Sequence, residues 1–135
     1  MCTTCDLRTY QSSFCSKNIC INCFKLFSSK IIIAISGRRF KALNEKTKLV
    51  TIQRSKGYAP RKTLSVERIG KLIAYIKSIK PDVICMVDNC YGEFVETIEP
   101  TQVGADLCVG SLIKNPGGGL APIGGYVVGK EKIIE

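Results

Sequence analysis

Val83-Ile84-Cys85-Met86-Val87 is apolar at every position and ends on an acid, Asp88. A strand without polar alternation must be covered on both faces, which is the position of a central strand in a parallel sheet. Parallel neighbours need a long crossover connection, and the residues upstream supply one. Leu49-Val50-Thr51-Ile52 reads as a strand and residues 53–60 as the loop leaving its C-terminal end. Val66, Ile69, Leu72, Ile73, Ile76 and Ile79 then recur at helical spacing and predict one apolar face. Ser65 suits the N-cap, Leu64 and Ile69 the staple positions, and Glu67 the positive first turn. Lys77 and Lys80 complement the C-terminus, and Pro81 ends the helix. Strand, helix and strand form a βαβ unit, expected to be right-handed. Residues 106–110 and 126–129 are further strand candidates, and residues 130–135 begin a helix. At 135 residues the chain holds one domain at most, and the fold class expected is α/β, a mostly parallel sheet with a flanking helix.

Ligands of such sheets collect at the carboxyl ends of the strands. Arg54, Asp88 and the run Ser111-Leu112-Ile113-Lys114 all fall at such ends, so one crevice could gather them. A carboxylate ending an apolar strand is costly to bury unless it is paired. Asp88 therefore either caps a neighbouring loop or meets a cation. Lys114, opening the loop Asn115-Pro116-Gly117-Gly118-Gly119, would alone read as a surface lysine. Together, an apolar strand ending in Asp and a second strand ending in Ser-x-x-Lys and glycines match how many enzymes hold pyridoxal 5′-phosphate. The lysine forms the Schiff base, the carboxylate keeps the pyridine nitrogen protonated, and a hydroxyl with glycine amides cradles the phosphate. Such a lysine must deprotonate near neutral pH, which a cationic or desolvated site encourages. Gly124-Gly125 could likewise let backbone approach a phosphate or a neighbouring subunit, and Tyr58 and Tyr91 read as acid–base groups, ring contacts or half-buried tyrosines.

Residues 1–41 differ from the rest. They carry seven Lys/Arg against one acid, whereas residues 42–135 carry thirteen against ten, so the net +9 sits mainly in the first third. Cys2-x2-Cys5 and Cys20-x2-Cys23 have the form of two zinc knuckles, and an alternative reading is a zinc-ribbon nucleic-acid-binding protein. Against zinc, no glycine occurs before Gly37, although such knuckles usually need a tight turn. The segment shows no helical or strand period and does not read as the front of a βαβ sheet. Its apolar run, residues 31–35, is far too short to span a bilayer, and no secretory signal pattern precedes it. The expectation is a reduced, cytoplasmic protein without membrane or nucleic-acid partners. Cys85, Cys90 and Cys108 then read as small buried hydrophobes.

Three stretches resemble the methionine gamma-lyase-related family, some of whose members are called aluminium resistance proteins. They are Ile52-Gln53-Arg54-Ser55-Lys56-Gly57-Tyr58, Val87-Asp88-Asn89-Cys90-Tyr91-Gly92-Glu93-Phe94, and the run from Gly110 through Lys114 and the glycines to Pro122. The resemblance covers about residues 42–135 and implies part of the large domain of a fold-type I pyridoxal-phosphate enzyme akin to the cystathionine lyases. It implies a carbon–sulfur lyase of sulfur amino-acid metabolism, with a small amino-acid substrate and a homo-oligomeric full-length parent. Lys114 would be the Schiff-base lysine, Asp88 the pyridine-nitrogen partner and Ser111 a phosphate ligand, with Arg54 or Ser55 near the ring hydroxyl. Ile113 stands where related lyases often carry a second hydroxyl. Residues 1–41 do not resemble what precedes this region in the family, which suggests a frame-shifted or misjoined start. The upstream phosphate turn, the ring-stacking group and the C-terminal domain have no counterpart, so an inactive fragment is expected.

Overall fold

The computed structural model describes residues 30–34 as backbone, and residues 43–58 and 60–134 in full. Five strands form one sheet in the order of the chain: β1 Lys30–Ala34, β2 Thr47–Gln53, β3 Ile84–Asp88, β4 Leu107–Ser111 and β5 Gly125–Gly129. The first four run parallel, and β5 returns antiparallel along β4. The α/β class and the mostly parallel sheet are as expected. One strand is not: Lys30–Ala34 pairs parallel with β2, with a register shift between Lys30 and Ile31, although residues 1–41 were not expected to contribute to the sheet. A short run built on three consecutive isoleucines needs no long periodic signal once a neighbouring strand supplies the hydrogen bonds. The remainder of residues 1–41, including Cys2, Cys5, Cys20 and Cys23, lies outside the described residues.

Helix α1, Val66–Ile79, is the crossover between β2 and β3. Its limits follow from chemistry at both ends. The Ser65 hydroxyl accepts the Arg68 N–H, Glu67 lies in the first turn, and Lys80 is the C-cap before Pro81. Val66, Ile69, Ile73 and Ile76 are buried, the three isoleucines in one cluster with Val50, Ile52, Val83, Cys85 and Val87. Each such side chain contributes roughly 1.5–3 kcal/mol by leaving water. Leu64 packs beside this core, as a staple residue should, whereas Ile79 at the fraying end is exposed. On β3, Cys85, Met86 and Val87 are all buried, which explains why this strand carries no polar alternation.

A short 3₁₀ turn, Pro100–Val103, precedes β4, and a one-turn helix α2, Glu131–Ile134, follows β5. Between β4 and β5 a second 3₁₀ turn at Asn115–Gly117 carries the glycine loop. Gly118 and Gly119 have φ of +54° and +82°, so this loop depends on residues without a Cβ. At the end of the sheet away from that loop, buried Asp106 accepts the Cys85 N–H at 2.8 Å and pairs with Lys77 at 2.7 Å and Lys130 at 2.6 Å. Burial alone would raise its pKa, but these bonds outweigh that and hold the carboxyl below its ordinary value. Among the described residues, no helix is long and apolar enough to cross a membrane, and no group of three or more His, Cys, Asp or Glu could hold a metal ion.

Candidate active site

The strand register places the carboxyl ends side by side: Gln53 on β2 pairs with Asp88 on β3, which pairs with Val109 on β4. The Arg54 N–H reaches the Asp88 carbonyl at 3.0 Å, and the Asn89 N–H reaches the Val109 carbonyl at 2.8 Å. Arg54, Asp88 and residues 111–114 therefore do share one edge, as their positions at strand ends implied.

Asp88 is half-buried, and one of its oxygens accepts the Cys90 N–H at 3.1 Å. The carboxylate thus caps its own loop. The chain turns sharply after it, and Tyr91 adopts a φ of +67°. An aromatic residue in the left-handed region is strained by about 1 kcal/mol or more, and such strain gathers where a side chain must be aimed. Tyr91 is aimed at Lys114. Its hydroxyl accepts a hydrogen bond from Lys114 Nζ at 2.9 Å, and the ammonium lies 4.2 Å from the ring centroid.

This contact sets the electrostatics. The Tyr91 hydrogen bond, joined by the Asp88 carboxylate, holds the Lys114 ammonium above its ordinary pKa against the smaller effect of burial. The surroundings thus favour the charged lysine, the opposite of the depressed pKa anticipated from the sequence. Between the two ends sits Cys90, whose thiol is pushed up to about 12 by burial and then by the Asp88 carboxylate. Asp88, Cys90, Tyr91 and Lys114 form one interacting group.

Other residues singled out from the sequence are placed differently. Arg54 is only 2 % exposed, and its guanidinium is committed below the crevice. Its Nη1 donates to Asn89 Oδ1 at 2.7 Å and to the Gly92 carbonyl at 2.8 Å, while Nη2 pairs with Glu96 at 2.5 Å. Glu96 in turn accepts the Val66 N–H at 3.0 Å, joining this cluster to the N-terminus of α1. Ser55 is half-buried at the exit of β2, with its carbonyl accepting from Arg61. Ser111 is buried, its hydroxyl 3.5 Å from the Gly124 carbonyl. Tyr58 is fully exposed.

The polar layer around Arg54 was not anticipated from the residues in order. Asn89 Nδ2 donates to Glu99 at 2.9 Å, and Tyr126 donates its hydroxyl hydrogen to Glu93 at 3.0 Å. Burial first, then the hydrogen bond to Glu93, keeps Tyr126 protonated by raising its pKa. Asn115 Nδ2 donates to the Glu93 carbonyl at 3.0 Å, which ties the lysine loop to this layer. The one available signal was composition: Glu93, Glu96 and Glu99 recur every third residue beside a strand end.

Known proteins are similar to this chain over most of its length. The chain is 61% identical over 94 residues to the uncharacterized protein YnbB of Bacillus subtilis (strain 168), covering 70% of this chain but 22% of YnbB. A solved Listeria innocua structure described as a "putative cystathionine beta-lyase involved in aluminum resistance" superposes with a TM-score of 0.68 at 54% identity, over 70% of this chain and 23% of that one. A carbon–sulfur lyase involved in aluminum resistance from Clostridium novyi NT gives a TM-score of 0.63 at 54% identity, over 68% and 21%. The chain therefore spans about a fifth of the length of these relatives. The methionine gamma-lyase family model matches residues 11–135, which takes in all but the first ten positions. By that match over most of its length, this chain belongs to the methionine gamma-lyase family.

Proposed function

We propose that this chain is the cofactor-holding part of a fold-type I, pyridoxal 5′-phosphate-dependent carbon–sulfur lyase acting on a sulfur amino acid. The observation that carries the reading is the convergence of Lys114 and Asp88 at the carboxyl ends of the adjacent parallel strands β3 and β4, with Tyr91 joined to Lys114 at 2.9 Å. Described relatives include a carbon–sulfur lyase, which supports the reaction class.

The residues fit the cofactor in part. Lys114 would anchor it, and Asp88 would accept a hydrogen bond from the protonated pyridine nitrogen and so keep that nitrogen cationic. Bound there, pyridoxal phosphate supplies an electron sink that stabilises negative charge on the carbon bearing the substrate amine. Lys114 Nζ begins as an ammonium and must lose a proton before it can act as a nucleophile or base. Tyr91 holds that proton in place, so the phenol controls when the amine becomes available. Once deprotonated, Nζ would be the group that takes the substrate α-proton. Ser111 would serve the phosphate only after its hydroxyl turns from the Gly124 carbonyl, and Ser55 remains the ring-side candidate. Arg54 is proposed as a support beneath Asn89, not as a ligand.

The activity, the amino-acid substrate, a homo-oligomeric assembly and a cytoplasmic setting are proposed for the whole protein. The 135 residues alone are expected to hold the cofactor weakly. The test is borohydride reduction in the presence of pyridoxal phosphate, followed by peptide mass spectrometry, in a whole-length family member carrying this segment. The phosphopyridoxyl mass should fall on Lys114 and vanish in Lys114→Ala. Asp88→Ala should keep the adduct yet lose turnover of about 10²-fold or more, as expected when a positioned proton holder is removed. An adduct on any other lysine would refute the assignment.

A further inference from the structure

Tyr91 and Phe94 both lie in the left-handed region, at φ of +67° and +61°. Two non-glycine residues held there so close together persist only where the surroundings fix the backbone. Residues 92, 93 and 94 are each tied from outside this loop. Arg54 Nη1 donates to the Gly92 carbonyl at 2.8 Å, Asn115 Nδ2 donates to the Glu93 carbonyl at 3.0 Å, and the Phe94 N–H donates to Glu99 at 2.9 Å. The first tie comes from the exit of β2 and the third from just before the 3₁₀ turn at Pro100–Val103, so both fasten the loop to the body of the fold. Only the Asn115 tie comes from the turn that carries Lys114. In that turn the Gly118 N–H closes onto the Lys114 and Asn115 carbonyls, each at 3.2 Å, so what holds Asn115 also holds Lys114.

We propose that Asn115 is a positioning residue for Lys114, joining the lysine turn to the strained loop that aims Tyr91. The proposal rests on the reading of Lys114 as the reacting amine. Among the described residues two hydrogen bonds bridge these loops, Lys114 Nζ to the Tyr91 hydroxyl at 2.9 Å and Asn115 to Glu93 at 3.0 Å. They differ in kind. The first is charge-assisted and weakens when Nζ gives up its proton. The second runs from an amide to a carbonyl and does not depend on ionisation. Asn115 therefore keeps the two loops in register while Nζ leaves the phenol and when it returns. The acceptor end is firm, because Glu93 is 4 % exposed and its carboxylate accepts the Tyr126 hydroxyl. Asn115 itself is exposed, so the side chain has no packing role to explain its bond. Tyr91, Cys90 and Asp88, the titratable groups that bear on Lys114, all lie at the end of β3 or on the loop after it. A slip between the loops would loosen the lysine from all three together.

The test needs no cofactor, so its outcome stands apart from that of the borohydride experiment. The full chain is labelled with trace acetic anhydride between pH 7 and pH 11, which separates ionisation from access. Peptide mass spectrometry reads acetylation of Lys114 against the exposed Lys56. Tyr91→Phe should speed Lys114 labelling at pH 8 about threefold, as loss of one hydrogen bond to the ammonium implies. Asn115→Ala, and Asn115→Leu with nearly the same shape and no donor, should each speed it about twofold, part of the same effect. The double variant Tyr91→Phe, Asn115→Ala should stay near the threefold of Tyr91→Phe, because Asn115 acts through Tyr91. A tie that serves stability alone would lower Tm and leave the labelling ratio where it was. Lys114 labelling unmoved or slowed by Tyr91→Phe or by both Asn115 variants, or a double variant at about sixfold, the product of independent effects, would each overturn the proposal.

Discussion

Replacing Arg54 by Met is the most informative perturbation of this fold. The side chain is 2 % exposed, and its removal leaves Asn89 Oδ1 without its donor, the Gly92 carbonyl with only the Val95 N–H at 3.3 Å, and Glu96 without its closest cation. Removing one partner of a buried ion pair costs about 3–5 kcal/mol. Glu96 and Glu99 are each about one-third exposed and can rehydrate, which places the expected loss toward the lower end, about 3 kcal/mol. For a domain of this size, that corresponds to a fall in Tm of roughly 9–15 °C. Arg54→Lys keeps the charge but cannot reach Asn89, Gly92 and Glu96 at once, so it should recover less than half of the loss. Urea titration followed by circular dichroism at 222 nm measures both variants. A loss under 1 kcal/mol for Arg54→Met would show that the guanidinium is not a support, and would restore it as a candidate ligand of the crevice.

Three further outcomes follow from individual sites. Gly110→Ala would drive a Cβ into the Tyr126 hydroxyl and against Glu93, and should cost about 2–3 kcal/mol by thermal melt; an unchanged Tm would contradict the close approach. The thiols of Cys85, Cys90 and Cys108 are raised, chiefly by burial, to about 11, 12 and 12, so their contribution to stability is intact below pH 9 and is lost as pH climbs through 11–12. Correspondingly, these three should resist a disulfide reagent at pH 8 until urea unfolds the chain, and rapid labelling of the folded protein would be the contrary result. Asp106 has a depressed carboxyl, so its contribution is present above the ordinary aspartate pKa near 4 and disappears as pH falls through the lowered value. Asp106→Asn should therefore flatten the acid limb of the stability curve, and an acid limb identical to the parent's would exclude Asp106 as its source.

Local chemistry made much of this protein legible from its residues in order. The helix over 66–79 follows from a 3.6-residue apolar period and two capped ends, and β3 from five apolar positions in a row, because these signals act within a few residues of chain. The alignment of the strand ends that precede Arg54 and carry Asp88 was also readable, since parallel strands joined by crossovers must align their carboxyl ends. What the tertiary structure decided is how these side chains are spent. Arg54 meets Asn89, Gly92 and Glu96 across separations of 35 to 42 residues, so nothing near Arg54 in the chain announces that it faces inward. The same holds for Lys114, whose charge is set by Tyr91, 23 residues away and reachable only because the backbone there takes a left-handed turn. Strand β1 is the limiting case: its own five residues are compatible with a strand, but only the free hydrogen-bonding edge of β2 selects that state. Period and capping are local free energies, while partner choice depends on which distant groups the folded backbone brings within hydrogen-bonding distance.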